Sequence, residues 1–104
     1  MKKIYDGMVY DTENSERIAD YEYSDSEDFF YVREVLYKTK NGRYFLYGEG
    51  GSKTDYLKKV GLDNFSSGSM IIPYVIDEIL SWAEDRNINS QKLVDELSDY
   101  LEEA

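Results

Sequence analysis

The chain has no cysteine, no histidine, a single proline, and no long unbroken apolar run. Without cysteine there are no disulfides and no thiolate metal sites, and nothing ties the chain to an oxidising compartment. Without histidine the usual general base, the commonest metal ligand and the Ser-His and Cys-His nucleophile pairs are all missing. No segment approaches the roughly 20 apolar residues that a membrane helix needs. The opening residues, "MKKIYDG", carry lysines but no apolar stretch, so they do not read as a signal peptide. The expectation is a cytoplasmic protein that is not an enzyme and uses no cofactor and no metal.

What is present is one domain's worth of chain, 104 residues, rich in aromatic groups. Eleven tyrosines accompany four phenylalanines and one tryptophan. Tyrosine joins an apolar ring to a polar hydroxyl and suits the rim of a small core or a binding face. With 41% hydrophobic residues, the chain can form a core despite a net charge of −10. That charge opposes direct nucleic-acid binding and favours a basic partner reached by electrostatic steering. It is also unevenly spread. Residues 1–30 hold nine acids and three bases, residues 31–70 four acids and seven bases, and residues 71–104 nine acids and two bases.

The pattern along the chain is strands first, helices last. "KIYDGMVY" reads as a hairpin about Asp6-Gly7. "RIADYEY" alternates with period two, placing Ile18, Asp20 and Glu22 on one wet face. Two aromatic and β-branched runs, about 29–39 and 43–48, flank Asn41-Gly42, which predicts a type I′ turn. Gly48, Gly50 and Gly51 then read as the end of the second strand. Residues 52–61 predict a turn or two of helix capped by Gly61, and 69–74 a strand stopped by Pro73. Ile76, Ile79, Leu80 and Ala83 share a helical face within 75–87. Ser90 caps a last helix carrying Leu93, Val94, Leu97, Tyr100 and Leu101. The fold class is α+β: a bent antiparallel sheet of four to five strands in one domain, 1–104, with a C-terminal pair of helices on one face.

Three chemistries have partial patterns in the sequence. "YFLYGEGGSKTDY" resembles a phosphate loop only superficially. Aligned on Lys53-Thr54, Ser52 and Tyr47 stand where glycines are required, and Glu49 would face the anion. "DTENSERIADYE" puts Asp11, Glu13, Ser15 and Glu22 at calcium-loop positions, but Glu16 stands where the turn needs glycine. Carboxylate pairs are so frequent that none stands out as an acid–base couple. The acids instead suggest a surface. One cluster is Asp20, Glu22, Asp25, Glu27 and Asp28, with Glu49 in the glycine stretch. Another is Asp95, Glu96 and Asp99 on the last helix, with Glu102 and Glu103 at its end opposing the helix dipole. Such clusters could imitate rows of phosphates for a basic groove on a partner.

The segments "KIYDGMVYDTENSERIADY", "LYKTKNGRYFLYGEGG" and "IIPYVIDEILSWAED" resemble a family of small proteins carried by phages and conjugative elements of Gram-positive bacteria. The resemblance covers about 80 of the 104 residues. Its members are similar to anti-CRISPR proteins, inhibitors of type II RNA-guided nucleases. It implies a binding inhibitor without cofactor whose partner is a large basic nuclease. Such enzymes hold their heteroduplex in positively charged channels. Two routes follow: an acidic mimic that blocks DNA, or hindered guide-RNA loading involving Lys38, Lys40, Arg43, Lys53, Lys58 and Lys59. The apolar "YVIDEI" departs from a family pattern that places a polar cap and acids after the proline. The alternative is a small protein-interaction module of a mobile element, and a third is a carboxylate hydrolase using a divalent metal.

Overall fold

The computed structural model describes residues 1–25, 27–56, 58–59, 65–66 and 68–104, the side chains of 58–59 and 65–66 excepted. The chain opens with a hairpin, β1 (Lys2–Tyr5) and β2 (Met8–Asp11). Asp6 and Gly7 both have positive φ, 50° and 73°, the type I′ geometry that Asp-Gly favours. A short 3-10 turn, Thr12–Asn14, leads into β3 (Glu16–Tyr23), followed by β4 (Val32–Lys38) and β5 (Tyr44–Gly50). Two two-residue strands, β6 (Lys58–Lys59) and β7 (Phe65–Ser66), pair with each other. β8 (Gly68–Tyr74) then joins the main antiparallel sheet, whose order is β3-β4-β5-β8. The chain finishes with α1 (Ile76–Arg86), α2 (Gln91–Glu96) and a 3-10 turn, Ser98–Tyr100. This is the α+β architecture that the sequence pattern predicts.

The sheet is covered on both faces. Alternate β4 residues point in opposite directions. Leu36 joins Ile18, Ala19 and Leu46 beneath Ile79, Trp82, Leu93 and Leu97 of the helical layer. Val35 and Tyr37 join Phe45, Ile71 and Tyr10, so the β1–β2 hairpin packs on the opposite face. There the Tyr37 ring stacks on Phe45 at 5.1 Å, and Tyr10 meets Phe45 edge-on at 5.6 Å. The hairpin is a separate layer, not an extension of the main sheet.

Several local expectations are corrected. The β4–β5 connection is a three-residue loop in which Gly42, not Asn41, has positive φ. The Thr39 amide bonds Arg43 O and the Gly42 amide bonds Thr39 O, the type I turn with a left-handed third residue. A β-bulge between Arg17 and Ala19 moves Ile18 off the face of Asp20 and Glu22. Ile18 and Ala19 are therefore both buried under the helices. Residues 52–56 form turns, and Lys58–Lys59 is strand, so no helix starts there; Gly61 lies outside the described residues. Pro73 sits inside β8, at the edge of the sheet, where its missing N–H breaks no ladder.

Both helix ends follow local chemistry. Val75 has no side-chain oxygen for a cap, yet Glu78 reaches back to accept its N–H at 3.0 Å. Asn87 closes α1 in the left-handed conformation, φ 54°, while the Ile88 amide bonds Ala83 O. Ser90 caps α2 by accepting the Leu93 amide. The last helix is shorter than its apolar spacing suggests, because only Leu93 and Leu97 reach the core; Val94, Tyr100 and Leu101 are exposed. Glu102 and Glu103 lie beyond the helical turns, so they do not oppose a helix dipole. Among the described residues, no helix is long and apolar enough to cross a membrane.

Candidate functional site

The glycines of "GEGG" are spacers rather than strand breakers, since Gly48 and Gly50 lie within β5. A Cβ on Gly48 would overlap the Tyr56 ring, and one on Gly50 would overlap the Thr54 hydroxyl. A Cβ on Gly51 would sit 2.5 Å from Phe29 O and 2.7 Å from Asp28 O. The segment 51–56 therefore folds flat against one side of β5, and the Asp28 and Phe29 backbone presses against Gly51. Hydrogen bonds hold this contact: the Gly51 amide donates to Tyr31 O at 2.8 Å and the Lys53 amide to Phe29 O at 2.9 Å. No phosphate cradle forms, because the segment packs against its own chain.

Glu49, between these glycines, points to the other face. It accepts from the hydroxyls of Tyr31 at 2.6 Å and Tyr47 at 2.8 Å, and pairs with Arg33 at 3.5 Å. Burial pushes its carboxyl up, but those donors outweigh burial and leave it below the usual carboxylate range. Burial and the Glu49 charge push the Tyr31 hydroxyl up to about 12.

The loop after β3 is likewise built by its acids. Asp28 accepts from the Phe30 amide at 2.7 Å and from Ser24 Oγ at 2.8 Å, and the Phe30 bond, then the Ser24 bond, hold its carboxyl low. Asp25 accepts from the Glu27 amide at 3.0 Å. Asp20, Glu22, Asp25 and Glu27 remain exposed along β3 and this loop.

A second feature went unnoticed in the sequence. A cleft of about 660 Å³ lies between α1 and β8. Its floor holds Glu34, only 3% exposed and the one buried charged residue among those described. Glu34 accepts from Trp82 Nε1 at 3.0 Å, from Arg86 Nε at 2.8 Å, and from the Tyr56 hydroxyl. Arg86 also lies over the Tyr21 ring at 4.7 Å. Both Glu34 oxygens are thus occupied, and the carboxylate acts as a strut tying β4, α1 and the 51–56 turn together. Burial first, then the Glu34 hydrogen bond, pushes the Tyr56 hydroxyl up. Around the mouth stand Asp55, Asp77, Glu78 and Asp85. The signal that could have found them is the spacing Asp77, Ser81, Asp85 on one face of α1.

The second acidic cluster divides. Glu96 is tied down by Lys38 at 2.8 Å and by the Tyr44 hydroxyl. Burial raises its carboxyl, and these partners more than reverse that. Asp95, Asp99, Glu102 and Glu103 are exposed. Among the described residues the bases are not gathered into one surface. Lys38 is consumed by Glu96, Lys40 and Arg43 flank the β4–β5 turn, and Lys53 sits at the other end of the sheet. The side chains of Lys58 and Lys59 lie outside the described residues. Asp11, the first residue of the calcium-loop pattern, caps the 3-10 turn through the Glu13 amide, and Glu16 and Glu22 belong to β3. Among the described residues no three acids gather as a metal site.

No protein family, no curated protein and no solved structure matches this chain.

Proposed function

We propose that this protein is a non-enzymatic inhibitor that acts by binding in the host cytoplasm, and that its partner is a type II CRISPR effector nuclease. The nuclease rests on the family resemblance in the sequence. The mode of action rests on one structural observation: the acids divide into those the fold uses and those it leaves in solvent. The four ion pairs among the described residues consume Glu16, Glu34, Glu49 and Glu96. Among the described residues Asp20, Glu22, Asp25 and Glu27 stay exposed and none forms an ion pair, although Glu22 stands opposite Arg33 in the β3–β4 register. An array of exposed carboxylates complements a basic nucleic-acid channel and would displace the phosphates held there. Among the described residues the bases Lys38, Lys40, Arg43 and Lys53 are scattered, which favours this acidic mimicry over contact with guide RNA.

The test is DNA cleavage by type II effectors, with the protein added before or after the guide RNA at two salt concentrations. Mimicry predicts inhibition in both orders, weaker at high salt. Replacing Asp20, Glu22 and Glu27 together by lysine should slow association and reduce its salt dependence. Asp28 is spared because it builds the loop. Inhibition only before guide loading would replace mimicry with blocked loading. No inhibition of any effector would remove the nuclease and leave an interaction module of a mobile element.

A further inference from the structure

We infer that the turn 27–31 is a docking tip whose Phe29 and Phe30 enter an apolar pocket, rimmed by lysine or arginine, on a partner protein. The inference rests on the partner-binding reading above and identifies the contact that would hold the partner. Phe29 is 65% exposed and Phe30 57% exposed. Two adjacent exposed phenylalanines place their apolar area in one contiguous patch, and contiguous exposed apolar area is what marks interaction sites.

The backbone beneath them is fixed on both sides. Asp28 holds the Phe30 amide, the Lys53 amide holds Phe29 O, and the Tyr31 amide donates to Asp28 O at 3.0 Å. Gly51 lies so close that no side chain fits between it and the Phe29 carbonyl. The rings are therefore presented by a backbone with little freedom left to lose on binding, and each phenylalanine has only two side-chain torsions to order. This also answers what the glycine motif is for: it seats the tip.

The chemistry of the rim chooses the partner. Exposed Asp25 and Glu27 belong to the same loop. Lys53 adjoins the tip through its backbone and leaves the local balance negative. Nucleic acid bases could stack on phenylalanine, but such platforms sit in positively charged grooves, and these carboxylates would repel the phosphates. A second copy of the chain, itself at −10, is disfavoured by the same sign. A protein pocket with a basic rim satisfies both features, as apolar anchors inside a polar ring do at interface hot spots.

Binding of the wild type, a Phe29→Ser/Phe30→Ser double variant and an Asp25→Asn/Glu27→Gln double variant to purified, guide-loaded type II effectors tests this. Both phenylalanines are exposed, so thermal unfolding should not move. The phenylalanine variant should weaken binding by about 30-fold or more, through faster dissociation and with an unchanged salt slope. The acid variant should mainly slow association. Unchanged dissociation in the phenylalanine variant would overturn the tip while leaving the proposed inhibitor intact. If no effector binds the wild type, the nuclease reading fails and the tip is tested alone. A benzophenone amino acid at position 30, with one at Tyr100 as control, is then cross-linked in cells. Cross-links from position 30 into a lysine- or arginine-rimmed protein pocket, with the same loss when that purified protein is titrated with the phenylalanine variant, support the tip. Cross-links to nucleic acid or to another copy of this chain, or none above the Tyr100 control, overturn it.

Discussion

If Gly48 is a spacer, its cost on substitution should depend entirely on Tyr56. Tyr56 is 6% exposed, lies across Gly48, and donates its hydroxyl to Glu34. In Gly48→Ala the new methyl meets the ring itself, so the ring must move. Overpacking of this kind costs about 1–3 kcal/mol. If the displaced hydroxyl loses Glu34, a hydrogen bond to a charged group is lost as well, about 1.5–3 kcal/mol more. Tyr56→Ala alone should cost about 3–5 kcal/mol through the vacated space. In the double variant the alanine at 48 has room, and alanine in a strand is if anything better than glycine by about 0.5–1 kcal/mol. The double-mutant cycle should therefore show a coupling of about 2 kcal/mol or more, read from urea unfolding midpoints at constant slope. Equal costs for Gly48→Ala in the two backgrounds would refute the spacer argument. They would return Gly48 to a backbone role that its φ does not call for.

Three further outcomes follow from the buried and paired carboxylates and the tyrosine they hold. Glu34→Ala strands Arg86, the Trp82 indole N–H and the Tyr56 hydroxyl. It should destabilise by about 3–5 kcal/mol in urea unfolding, with Glu34→Gln intermediate; a loss below about 1 kcal/mol would show that this strut does not hold α1 to the sheet. Glu49 and Glu96 titrate below their ordinary 4.5 in the folded chain, so their contribution is fully present above about pH 4.5 and is lost as pH falls through the lowered values. Glu96→Gln should flatten that acid limb. Tyr31, raised from 10.0 to about 12, sets an opposite limb, with stability lost as pH rises from 10 toward 12. Unfolding midpoints that are flat across both limbs would contradict these assignments.

The legible parts of the fold were those fixed by neighbours in sequence. Asp6-Gly7 specified its hairpin because two consecutive residues must take positive φ, and Ser90 specified a cap because its oxygen needs only the Leu93 amide. The main antiparallel strands and the helical layer followed from alternation and spacing; the strand order did not. Asn41-Gly42 marked its hairpin correctly but not its turn type, because one added loop residue moves the left-handed position onto Gly42 alone. The glycine stretch misled because its reason is not local: Gly51 answers to Phe29, and Gly48 to Tyr56. Trp82 and Glu34 are 48 residues apart, and nothing in either segment announces the other. Nor can sequence separate a carboxylate that holds two tyrosines, such as Glu49, from one left in water, such as Glu22. A hint was present in Tyr47, two residues before Glu49 and so on the same strand face.

The exposed acids on β3 have a competing explanation that structure alone raises. β3 is an edge strand, and charges on an edge prevent it from pairing with another sheet. Acids are also poor strand formers, so Asp20 and Glu22 stand where propensity alone would place threonine or valine. The guarding role needs charge of either sign, whereas docking on a basic channel needs negative charge. The lysine variant at Asp20, Glu22 and Glu27 separates the two, since lysine is itself a favoured edge guard. A pure guard predicts a variant that stays monomeric and matches the wild type in the proposed inhibition. Docking predicts one that stays monomeric and associates slowly. The five acids of the loop and strand do not all serve one end: Asp28 builds the loop, Asp25 both shapes it and faces solvent, and Asp20, Glu22 and Glu27 make no internal contact through their carboxylates among the described residues. Asp20 and Glu22 add self-repulsion to a −10 chain without bonding anything inside it among the described residues, so edge-guarding and docking are the two roles that the lysine variant tells apart.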